Sequence, residues 1–594
     1  MLNWRLYRAA FVPFLLALLI AAFSLSPRAL PLTSTLPPDA FSGASALSLT
    51  DSLAAEFPDR RAGSPGDDAL AARISELLEG LGGTAGGGFS VHTRRFRART
   101  IDGERSLATV IAQRPGSTNA SPIVLLAHRD ALARGSRAEM SGTAALLELA
   151  RVFATRETRR TIVLVSTSGG SGGDAGAADF AANLDGPLDA AIVLGDLAGS
   201  DARKPVVIPF SDGFGSAPIQ LQRTLTDAIS AETGSDPGAP STLGQFAHLA
   251  LPLAGGEQGP LDAGGLPAVL VQASGERGPT PAEAVSAERL QGLGRAVLSA
   301  VDALDAAPDV PHALQTGVLI QHQLLPEWAV RLLVAALMLG PLLVAVDALA
   351  RLRRRREPVG RWTLWTLACA VPFLLCALFA YLLGLLGAVP ATPVLATAAP
   401  LDGSATRALV AVALGLALAW LAWPALVRRA GLSVRPSSEA AGLATLLVLL
   451  AICIVVWAVD PFTALLLLPA LHLFLLVISP ELRPRPPAAL ALVAVALLPL
   501  ALLITFYARQ LGLGPFEVAW TAVLIGAGGH AGVLGALLWS LALGCVVAGA
   551  MVALTGDAAL PGLGADHPTE VTIRGPLSYA GPGSLGGTES ALRR

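Results

Sequence analysis

Eight stretches of this chain stay apolar for about 20 residues, enough for a helix rising about 1.5 Å per residue to cross a hydrocarbon core of about 30 Å. They fall at about 9–26, 328–350, 362–388, 407–427, 441–459, 462–479, 487–508 and 533–554. So much continuous apolar sequence belongs in lipid, and 53% hydrophobic against 14% charged residues agrees. The first stretch follows the basic start MLNWRLYR without a convincing small-residue cleavage site, so it is expected to remain as an anchor rather than leave as a signal peptide.

Positively charged loops stay in the cytoplasm. Arg5 and Arg8, the run from Arg351 to Arg361, then Arg428, Arg429 and Arg435, and finally Arg483 and Arg485 share one side if the spans alternate. The chain then reads as a cytoplasmic start and anchor (1–27), an extracytoplasmic domain (28–326, core 48–304), an all-α membrane bundle of about seven helices (327–555) and a disordered cytoplasmic tail (556–594). The glycine-broken stretch 512–532 leaves two readings open, re-entrant or spanning, and the second would carry the C-terminus across. Lys204 is the only lysine, an arginine bias that suggests a GC-rich bacterial source and hence a plasma membrane.

A formal charge of −2 and the lack of a basic stripe interleaved with aromatics argue against nucleic acid as a partner. Cys369, Cys376, Cys453 and Cys545 all lie in apolar segments, where they read as small buried hydrophobes and offer the soluble part neither disulfide nor thiolate site. Ionisable groups within the spans are few. Asp347 precedes Arg351 by four residues and should pair with it. His472 reads as an interhelical hydrogen-bonding group, and His530, set among glycines, has no defined role. The partners expected are the lipid bilayer, other membrane subunits and extracytoplasmic peptides.

Between Ser48 and Leu304, β-branched runs alternate with amphipathic helical stretches, the pattern of a three-layer α/β/α sandwich on a largely parallel or mixed sheet. The runs PIVLLA (122–127), TIVLVS (161–166), AAIVL (190–194) and PAVLV (267–271) are its expected strands. SGTAALLELARVFA (141–154) is expected to begin at a serine cap, and DDALAARISELLEGLG to stop at its glycine. Function in such sheets gathers beyond the carboxyl ends of the strands. There, directly after PIVLLA, stands His128-Arg129-Asp130, a histidine with a nearby carboxylate that suits a metal ligand and its orienting acid.

The ordered series RRAGSPGDDALAARISELLEGLG, HRD, SGTAALLELARVFA, RRTIVLVSTSGG, VLGDLAG, DAGGLPAVLV and GPTPAEA resembles zinc metallopeptidase family 28, over about residues 48–304. The resemblance implies two zinc ions bridged by an aspartate and a water, with a glutamate base. It makes His128 and Asp196 zinc ligands and Asp130 the orienting acid. It also shows what is missing. The bridging aspartate falls at Ala138, the base at Gly169, a ligand glutamate at Gly170 and the last histidine at Pro279. A catalytic zinc needs about three protein ligands, and two remnants do not supply them. The expectation is therefore a catalytically inactive domain that holds no cofactor and serves peptide binding or subunit assembly, with zinc present only if the site is functional. The layout is similar to that of eukaryotic GPI-anchor attachment proteins.

Two enzymatic readings stay open. Glu139, Asp174 or Glu257 could replace the lost ligands in a rearranged zinc aminopeptidase. Alternatively, Gly169 to Gly173 fits G-x-S-x-G, making Ser171 the nucleophile of a serine hydrolase with Asp196 and His248 following in chain order.

Overall fold

The computed structural model describes residues 3–81, 88–184, 186–200, 204–238, 240–253, 255–310, 313–436, 439–479, 482 and 484–555; Arg483 and the tail expected at 556–594 lie outside them. The soluble part is built on seven strands: β1 (Ser90–Thr100), β2 (Gly103–Arg114), β3 (Ile123–His128), β4 (Ile162–Thr167), β5 (Ala190–Leu194), β6 (Val206–Ile208) and β7 (Ala268–Gln272), in the order β1-β2-β4-β3-β5-β7-β6. The central pairs β4–β3, β3–β5 and β5–β7 are parallel, whereas β1–β2, β2–β4 and β6–β7 are antiparallel. The four apolar runs form the parallel centre. The hairpin β1–β2 and the edge strand β6 extend it on either side.

Alternation along the strands divides the core in two. Leu125, Ile192, Leu164 and Val271 point to one face and pack with Leu146, Phe153, Ile74 and Val297 of helices Arg137–Ala154, Pro65–Gly80 and Ala287–Ala306. Val124, Leu126, Val165, Val193 and Leu270 point to the other, against Phe180 and Leu261 of helices Ala175–Ala182 and Gln258–Ala263. This is the three-layer arrangement read from the sequence. One helix start is corrected: it lies at Arg137, a turn before the expected serine cap, and Ser141 instead donates from within the helix to the Ala138 carbonyl at 2.6 Å. Helix Pro65–Gly80 starts as sequence chemistry dictates, with Ser64 accepting from the Asp67 amide and proline in the first turn.

Among the described residues, six helices are long and apolar enough to cross a membrane: Trp4–Phe23, Glu327–Arg354, Val359–Leu385, Gly403–Arg429, Ala440–Val459 and Gly532–Thr555. Pro486–Ala496 and Leu498–Leu511, bent by 45°, make a seventh if taken as one span, and Pro461–Val477 and Pro515–Ala527 are shorter apolar helices. Two polar contacts read from the bundle are specific. Asp347 pairs with Arg351, and the Tyr7 hydroxyl lies 2.8 Å from His472 Nδ1, joining the first helix to Pro461–Val477.

The soluble part and the bundle share a core: Ala247, Leu249 and Leu253 pack in one apolar cluster with Val334, Leu471 and Tyr507. Hydrogen bonds lock the junction. Thr463 donates to the Ala250 carbonyl (2.6 Å), Tyr507 to the Leu251 carbonyl (2.6 Å), and His530 Nε2 lies 2.9 Å from the Pro252 carbonyl. Both flanks of helix Pro515–Ala527 meet the soluble part, since Gly512 abuts Arg277 and His530 abuts Pro252.

Candidate functional site

His128 closes β3, and its carbonyl accepts from Thr143 (2.8 Å) in helix Arg137–Ala154. The next residue, Arg129, is fully buried and ion-pairs with equally buried Asp67 at 2.8 Å. It also donates to the Ala108 and Ser166 carbonyls at 2.8 and 3.2 Å. Asp67 in turn accepts from the Gly63 amide and the Ser168 hydroxyl. Arg60, also buried, donates to the Arg129 carbonyl at 3.0 Å. Two buried arginines thus fix the backbone on which His128 and Asp130 sit.

Asp130 is fully buried and serves three neighbours. Its carboxylate accepts from the Gly170 and Ser171 amides, both at 3.1 Å, and from the Ser171 hydroxyl, and it lies 3.7 Å from His128 Nδ1. Burial works against charge on either partner, yet the contact raises His128 to about 10 and lowers Asp130 to about 2; Ser171 assists the aspartate, and Glu257 and Glu139 assist the histidine. The sign follows. The raised histidine adds stability that is complete below its ordinary 6.5 and disappears as pH climbs through about 10; the lowered aspartate adds stability present above 3.8 that disappears as pH falls through about 2. The melting-temperature deficit of His128→Gln should accordingly be largest between those ordinary values and close towards pH 10, as a denaturation series of both proteins would read.

The turn after β4 carries the positions where the resemblance expects two glutamates. Gly169 has φ +91°, a backbone conformation that a glutamate would hold only under strain. At Gly170 space is lacking: a Cβ would stand 2.4 Å from His128 Cβ and 2.9 Å from the carboxyl carbon of Glu257. Glu257, 1% exposed, fills the room that a side chain at 170 would take. Thr167 donates to its Oε1, while its Oε2 has no partner. Burial chiefly raises this carboxyl to about 7, against the opposing pull of His128 and Thr167. Burial likewise raises Glu139 and, with Asp212 and Glu257 nearby, lifts Asp174 well above the usual carboxylate range.

The remaining expected positions have the following surroundings. Asp196 Oδ1 accepts from the Ala198 and Gly199 amides (2.9 and 2.8 Å) and from Ser141 (3.2 Å), while its Oδ2 is buried without a hydrogen-bond partner. Ala138 is buried in the first turn of its helix, and Pro279 precedes Thr280, whose amide donates to Glu283. The serine-hydrolase arrangement does not assemble. Ser171 donates to Asp130, whereas His248 lies 3.2 Å from both the Tyr507 hydroxyl and Glu276 and stacks on Phe210. Zinc is the cofactor that the resemblance implies, and the donor set does not fit it: among the described residues no three His, Cys, Asp or Glu side chains are arranged to hold a metal ion.

Beside this turn lies a cavity of about 620 Å³. Gly170 to Asp174 and Asp212 line it from the soluble part, and Val394, Leu395, Ile525 and His530 from the bundle, so the crevice is covered by a bundle connection and not open along its whole rim. Sequence reasoning had no means to see that lid, nor the Arg129–Asp67 pair, because both depend on segments that are remote in the chain.

Residues 109–244 match the model described as Peptidase family M28. The similar solved structures include BSAP, a zinc aminopeptidase from Bacillus subtilis (13% identity, 46% of this chain and 99% of that one, TM-score 0.35). They also include LapB from Legionella pneumophila (15%, 46% and 74%, 0.37) and the glutaminyl cyclase of Porphyromonas gingivalis (17%, 44% and 99%, 0.31). No curated protein matches the chain.

Proposed function

We propose that the part of the chain whose residues 109–244 match Peptidase family M28 is a domain of that kind, joined to several helices that could span a membrane. We propose that this domain is catalytically silent and acts as a binding or assembly subunit, held outside the plasma membrane by the helix bundle with the C-terminus in the cytoplasm. One observation carries the reading: His128 and Glu257 fill the space of a side chain at Gly170, and Gly169 holds a glycine conformation, so the ligand and base positions are closed by backbone and packing. Without a base and a third ligand, water has no route to activation by the family's chemistry. The domain instead retains a rigid, partly covered crevice. Aminoacyl arylamides incubated with the full chain in detergent should show no turnover above the His128→Ala protein. Hydrolysis that His128→Ala abolishes would establish the rearranged aminopeptidase, with Glu139, Asp174 or Glu257 recruited to the metal.

A further inference from the structure

The cavity between the crevice and the bundle has two kinds of wall. Asp174 lines it on the side of the soluble part; Leu253, Val394, Leu395 and Ile525 make the apolar side. Asp174 is not committed to the fold. It holds a left-handed φ of +51° without being glycine, gives no side-chain cap to the helix it precedes, and keeps Oδ1 shielded from solvent with no hydrogen-bond partner. Such a backbone conformation costs roughly 1–3 kcal/mol and persists where surroundings or function demand it.

A second carboxylate points the same way. Glu257 is 1% exposed and its Oε2 has no partner. Its carboxyl lies beside Gly170, a residue that lines the cavity and has no side chain. Buried carboxylate oxygens without donors are costly until a donor or cation reaches them. Among the described residues no arginine or lysine lines the cavity, and His530 is engaged with the Pro252 carbonyl. A cationic ligand would supply a donor and favour the charged form of both carboxyls. A metal ion is a poor fit because the donors do not converge, whereas an ammonium group offers three rotatable N–H donors and tolerates carboxylates that are spread apart.

We propose that this cavity binds a small amphiphilic amine, its ammonium group at Asp174, on the wall where Glu257 lies beside Gly170, and its apolar body against Val394, Leu395 and Ile525. The volume of about 620 Å³ is within the usual range for small-molecule sites. The inference rests on the silent-site reading, since a metal bound at His128 would compete for Glu257.

The test uses full-length protein in maltoside detergent and radiolabelled n-decylamine. Saturable binding is expected, with n-decanol, which matches the chain but lacks the charge, failing to displace it. Asp174→Asn should weaken binding at least about tenfold, the smallest loss expected for a charge-assisted hydrogen bond. Leu395→Trp, which fills the cavity from the bundle side, should weaken it as well, so a folding defect in one variant leaves the other as a probe. Equal displacement by decanol, or unchanged binding in both variants, would overturn the proposal. So would displacement by leucyl-leucinamide where unlabelled decylamine fails, which would identify a peptide amino terminus as the ligand. Arylamide hydrolysis, measured on the same samples, fails or holds independently of amine binding and so separates the two readings.

Discussion

Arg129→Ala should destabilise the soluble domain by on the order of 3–5 kcal/mol, the cost of leaving a buried charge without its partner. The partner is Asp67, and neither side chain has any exposure. The loss extends beyond one ion pair, because the guanidinium also bonds the Ala108 and Ser166 carbonyls and thereby ties β2 and β4 to the turn that carries Asp130. Arg137→Ala is the control. Its partner Asp51 is about half exposed, and a surface pair of that kind contributes less than about 1 kcal/mol. Differential scanning calorimetry of the three proteins in one detergent would rank them. A loss for Arg129→Ala no larger than for Arg137→Ala would show that the buried pair is not holding the site.

Gly170→Ala should be nearly as damaging for a different reason. One added methyl group meets His128 Cβ at 2.4 Å and the Glu257 carboxyl at 2.9 Å, and overpacking of this kind costs about 1–3 kcal/mol. Gly103→Ala is a useful contrast, since a Cβ there meets nothing within 4 Å and its penalty comes from a φ of +93° alone. Unfolding midpoints of Gly170→Ala and of Gly170→Ala with Glu257→Ala would show how much of the clash each neighbour contributes. Most should remain in the double variant because His128 is the nearer wall. An unchanged midpoint for Gly170→Ala would mean that the turn is loose and that its glycines do not close the site.

The parallel centre of the sheet was legible because its strands are buried on both faces and read as unbroken apolar runs. The hairpin β1–β2 was not: in HTRRFRART arginines occupy alternate positions on an exposed face, and the apolar count that marks a strand is missing. The start of helix Arg137–Ala154 was misplaced because Ser141 carries the chemistry of a cap yet lies one turn inside, where it bonds Ala138. At the site, the glycines of 169 and 170 announced a loss in the sequence. Their consequence did not, because the φ of one and the Glu257 carboxylate beside the other are facts of packing. The two amides that Asp196 caps with Oδ1 were likewise out of sight in its motif, because they depend on how the chain turns after the strand.

The central claim is that glycine backbone and a displaced glutamate have closed the metal site. Elemental analysis of the full-length protein, purified without chelator, equilibrated with zinc and then desalted, tests it most directly. The account predicts zinc far below one ion per chain and unchanged in His128→Ala. One or two ions per chain, lost in His128→Ala, would contradict it.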